Sequence, residues 1–134
     1  MNWVLLTAGI LVLIAALVHI YGGEFTLQRT PTTAFPNIPN GDSSIAKQEI
    51  RFGWHMGSVD MLVSGSVLVL LATTSWIEPV TVVARLIAVY YVGYSVVIAT
   101  LPVLALRRLE PLMRSPQWVF TFVVAILAWW GSGV

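Results

Sequence analysis

Residues 50–66, IRFGWHMGSVDMLVSGS, decide how this chain is read. The stretch begins polar and charged and becomes apolar near Met56. It carries His55 and, set inside the apolar run, the acid Asp60. An acid at the centre of a membrane span costs about 2.5–3.5 kcal/mol on insertion scales, and such residues mark functional sites by default. The stretch therefore reads as the entry of a membrane helix that brings ionisable groups with it.

The composition agrees. The chain has 134 residues, of which 57% are hydrophobic and 10% charged, and its mean hydropathy is +0.85. Soluble domains carry about 25% charged residues, so there is too little charge here to cover a water-facing surface. A formal net charge of +1 gives no basic face for nucleic acid, and the absence of cysteine excludes disulfides, thiolate metal sites and dithiol chemistry. Met1-Asn2-Trp3 places no basic residue ahead of the first apolar run, and no small-residue cleavage site follows it. The first segment is therefore expected to be retained in the membrane.

Outward from residues 50–66, four apolar segments are expected to span the membrane, at about 3–21, 54–77, 80–106 and 116–133. Trp3, Tyr21, Trp76, Trp118 and the Trp129-Trp130 pair sit near their ends, where amphipathic rings prefer the headgroup level. Gly22-Gly23 is expected to end the first helix. A long loop over 22–46, rich in Pro, Thr and Asn, would follow. Pro31, Pro36 and Pro39 argue against a helix there, and Phe25, Phe35 and Ile38 are apolar enough to fold back. Asp42, Ser43 and Ser44 suit the N-cap of the second helix, and Pro102 is a candidate kink in the third. Ala8, Ala15 and Ala16, Gly53-x-x-x-Gly57, and Ala84, Ala88 and Ser95 form small-residue faces of the kind that bring helices together in lipid. The fold class expected is an all-α integral membrane protein, an antiparallel four-helix transmembrane bundle with a long first cytoplasmic loop. Homo- or hetero-oligomers are expected through the small-residue faces.

Arg29, Lys47, Arg51, Arg107, Arg108 and Arg114 fall on one side of such a bundle and only Arg85 on the other. The positive-inside rule then places both basic loops in the cytoplasm and both termini outside, in what is expected to be a bacterial inner membrane.

His19 precedes Glu24 by the same interval as His55 precedes Asp60. On neighbouring helices of opposite direction this makes two layers. His55 meets Glu24 at the mouth, and Asp60 meets His19 about 6–8 Å deeper, with Tyr94 near the deeper layer. Imidazole and carboxylate together suit a divalent metal, for which His19, Glu24, His55 and Asp60 are the candidate ligands. A b-type haem between His19 and His55, with Tyr94 as supporting partner, is a second reading. A proton or ion relay through Asp60 is a third. Against these stands the reading that the polar groups only fix helix packing in a non-enzymatic membrane subunit or assembly protein.

In outline the chain resembles the small multidrug transporters, which are four-span proteins of similar size. Their membrane-embedded glutamate in the first span has no counterpart, since residues 3–21 contain no acid. In general form the chain is similar to small four-span bacterial membrane proteins, a likeness that implies the fold and transfers no activity.

Overall fold

The computed structural model describes residues 1–35, 43–114 and 116–134. All regular structure among them is helical: α1 (Trp3–Arg29), a 3-10 turn (Thr32–Ala34), α2 (Ser43–Thr73), α3 (Val80–Leu106), α4 (Glu110–Arg114) and α5 (Gln117–Gly131). Of these, α1, α2 and α3 are long and apolar enough to cross a membrane, and α5 is shorter, at 15 residues. Pro36, Ile38, Pro39 and Asp42 lie outside the described residues.

Two helix ends differ from expectation. Gly22-Gly23 does not end α1, which continues to Arg29. The polar extension is held by pairs one turn apart. The Arg29 guanidinium lies 3.7 Å over the Phe25 ring, and Gln28 reaches Glu24 at 3.5 Å. Such i,i+4 contacts each favour the helix by a few tenths of a kcal/mol. α2 stops at Thr73, short of Ile77. The Thr73 and Thr74 hydroxyls fold back onto the carbonyls of Val69 and Leu70 at 2.8 and 2.9 Å, a local alternative to further helix. α3 runs unbroken through Pro102 to Leu106 and is closed by Arg107 in the left-handed conformation (φ 51°). α4 forms where the sequence suggested only a loop.

The chain divides into two units, Met1–Leu11 with Gly65–Val134, and Val12–Ser64. The core of the first is built from Leu5, Ala8, Leu68, Leu71, Ala72, Ala84, Ala88 and Ala128. Most of these are small, so the backbones come close. A Cβ on Gly9 would lie 2.8 Å from the Val69 side chain and 2.9 Å from the Gly65 carbonyl, and one on Gly131 would lie 2.7 Å from Leu5. The large side chains face outward instead, among them Ile10, Leu86, Val89, Val96, Leu101 and Ile126.

Polar groups tie this unit together at its helix ends. Asn2 caps α1, accepting from the Leu5 N–H at 3.1 Å. Its side-chain amide donates to the Gly131 carbonyl at 2.7 Å, and its backbone N–H to the Ala72 carbonyl at 2.9 Å. The buried Ser95 hydroxyl donates to the Trp118 carbonyl at 2.7 Å, joining α3 to α5. No buried side-chain nitrogen or oxygen among the described residues lacks a partner.

Candidate functional site

The second unit holds the histidine–acid cluster, and its outer layer forms as the spacing predicts. Arg51 and His55 lie four residues apart on α2 and so share a face. That face meets Glu24 on α1. Arg51 donates through Nε to Oε1 at 2.7 Å and through its terminal nitrogen to Oε2 at 2.8 Å. His55 Nε2 lies 2.6 Å from the same Oε1. The guanidinium fork matches the carboxylate geometry, the stronger form of such a bond. Glu24 is the most shielded of the three, with its side chain 22% exposed against 40% for His55 and 55% for Arg51. Glu24 lies beyond the uncharged segment 3–21. The hydrogen bonds from Arg51, and then from His55, hold its carboxyl below the usual carboxylate range.

The inner layer corrects the expectation. His19 pairs not with Asp60 but with Ser58, its Nδ1 lying 2.9 Å from the buried hydroxyl. The reason is angular: two residues along a helix is a rotation of about 200°, so Ser58 and Asp60 point in nearly opposite directions. Asp60 is exposed. The Ser58 hydroxyl donates to the Trp54 carbonyl at 3.2 Å. Which of Ser58 and His19 donates in their own bond follows the imidazole tautomer.

Trp54 joins the layers. Its indole N–H donates to the His19 carbonyl at 2.7 Å, using the lone pair that the helix's own hydrogen bond leaves over. Its ring stacks on the His19 imidazole with centroids 4.3 Å apart and planes 8° from parallel. Gly23 makes this approach possible, because a Cβ there would overlap the indole of Trp54. The glycine read from the sequence as a helix terminator is thus a place for an aromatic ring. Farther along, the Lys47 ammonium donates to the Thr30 carbonyl at 2.8 Å, and the Phe35 ring lies 5.9 Å away.

The arrangement brings Glu24 and His55 together. Among the described residues no group of three or more His, Cys, Asp or Glu side chains is placed to hold a metal ion. The Glu24 carboxylate is neutralised by Arg51, and a metal cation there would have to displace a guanidinium. A haem ligated by Nε2 of His55 would have to take that nitrogen from Glu24. Tyr94 belongs to the first unit, where its ring packs 5.3 Å from Tyr90. Ser58 and Gly23 are participants that the histidine–acid pattern did not single out, whereas Arg51 was legible as a neighbour of Glu24 and His55. The i,i+4 spacing of Arg51 and His55 was the signal for Arg51.

Comparison with protein-family models, with curated proteins and with solved structures returned no match to this chain.

Proposed function

We propose that the chain is an integral membrane protein of four antiparallel spans, with basic loops in the cytoplasm and both termini outside. In this reading it serves as a non-enzymatic subunit or assembly partner, and its histidine–acid cluster is a latch that pairs the first two helices at the cytoplasmic mouth. The observation that carries the latch is that its polar groups are spent on one another. Glu24 is held by Arg51 and His55, the Trp54 N–H by His19, and the His19 ring by Ser58. A site that awaits a ligand keeps convergent donors or acceptors turned toward a cavity. The membrane reading is supported by a core of small residues beneath large apolar side chains facing outward, the distribution expected where the solvent is hydrocarbon.

Elemental analysis and an absorption spectrum of the purified protein test the latch. The expected result is no stoichiometric transition metal and no haem band. A metal or haem at one equivalent, lost in His55→Ala, would overturn it. Alkaline carbonate extraction tests the membrane reading, with the chain expected to stay in the pellet.

A further inference from the structure

We propose that a groove between α3 and α5 binds the acyl chain of an anionic phospholipid, and that Arg85 takes its phosphate. The proposal rests on the membrane reading above and is independent of the latch. The groove has a volume of about 440 Å³ and is lined by apolar side chains, chiefly Ala88, Val92, Phe122, Ala125, Trp129 and Trp130. The two alanines leave a trough, and Phe122 and the tryptophans form its far wall.

Arg85 stands at one end. It lies one turn before Ala88 and Val89 on α3, its guanidinium 5.1 Å over the ring of Trp129 and its Nε 3.3 Å from the Ser132 hydroxyl. Trp129 is thus shared between the cation and the groove. Among the described residues no carboxylate lies within ion-pair distance of Arg85. A guanidinium on an apolar helix without an acid partner calls for an anion, and its planar fork suits phosphate. From Arg85 to Val92 the groove descends about 10 Å at 1.5 Å per residue, a depth within one leaflet of a core ~30 Å thick. Cation, aromatic collar and apolar trough therefore occur in the order of a phospholipid's headgroup, glycerol region and tail.

Native mass spectrometry of the full chain released from detergent micelles tests this. Dioleoyl phosphatidylglycerol and dioleoyl phosphatidylcholine have identical tails and isolate the headgroup. The wild type should retain one phosphatidylglycerol in preference to phosphatidylcholine. Arg85→Gln should lower phosphatidylglycerol occupancy about five-fold, the worth of one basic residue at an anionic surface, and leave phosphatidylcholine unchanged. Val89→Trp, at a groove position 60% exposed and so tolerant of bulk, should lower both. Arg107 and Arg108 line a separate depression at the other end of α3, so Arg107→Gln with Arg108→Gln should preserve the preference. Equal retention of the two lipids, an unchanged Arg85→Gln, or a preference lost only with Arg107 and Arg108 would overturn the proposal. Extraction by carbonate would instead sink the membrane reading, and a chain retained in the pellet without lipid preference would sink the lipid site alone.

Discussion

Gly22 and Gly23 are neighbours on one helix, and the structure assigns opposite signs to the same substitution at each. At Gly22 an added Cβ meets nothing within 4 Å. Gly22→Ala should therefore show only the helix-propensity gain, about 0.8–1.0 kcal/mol. At Gly23 the added methyl collides with the Trp54 indole. Forced overpacking of this kind costs about 1–3 kcal/mol. The ring cannot swing aside cheaply, since it would give up its bond to the His19 carbonyl, worth about 0.5–1.5 kcal/mol, and its stack on the imidazole. Set against the propensity gain, Gly23→Ala should lose that gain entirely and destabilise by up to about 2 kcal/mol. The assay is reversible unfolding in mixed micelles titrated with denaturing detergent, followed by far-UV circular dichroism. A double-mutant cycle completes it: with Trp54→Ala present, Gly23→Ala should become neutral or stabilising, a coupling of about 1 kcal/mol or more. If Gly23→Ala stabilises as Gly22→Ala does, or if the Trp54 background leaves its effect unchanged, the indole does not occupy that space and the inner layer is wrong.

Three further outcomes follow from the same geometry. The Glu24 carboxyl titrates below its ordinary value of about 4.3, so its contribution is fully present above that value and fades as pH falls through the depressed one. Acid unfolding profiles of wild type and Glu24→Gln should converge below about pH 4, and a variant parallel to wild type across that window would refute the linkage. Asn2→Ala removes a helix cap and the tie to Gly131, and should cost about 1–2 kcal/mol in the same unfolding assay. Thr32→Cys, in a chain with no native cysteine, should be labelled by an impermeant maleimide only from the cytoplasmic side, and labelling of intact cells would reverse the orientation.

What could be read from the sequence was what depends on one dimension. Apolar length marked α1, α2 and α3, because the thickness of hydrocarbon is a count of residues. Depth matching found Glu24 opposite His55, since both lie near the ends of the apolar segments read from the sequence, 3–21 and 54–77. The inner layer escaped because it turns on angle: Ser58 and Asp60 differ by two residues, less than the uncertainty of a boundary read from sequence, yet they point to opposite sides of α2. Gly23 escaped for another reason. A glycine that ends a helix and one that admits a ring look the same until the residue facing it is known. Asn2 followed no pattern in its own neighbourhood, because its partners Ala72 and Gly131 are far along the chain.

The division of contacts has a consequence for biosynthesis. Val12–Ser64 is continuous in sequence, and the bonds of Glu24, His19 and Trp54 all fall within it, so this unit is complete in composition once α2 has left the ribosome. The other unit is discontinuous. Met1–Leu11 carries Asn2, whose amide has its acceptor on Gly131, and that acceptor is made 129 residues later. Asn2 can therefore bond the Ala72 carbonyl well before its side-chain amide has the Gly131 acceptor. In the interval the bonds of Glu24 to Arg51 and His55 can already join α1 to α2, while the Asn2 side-chain amide still lacks its α5 acceptor.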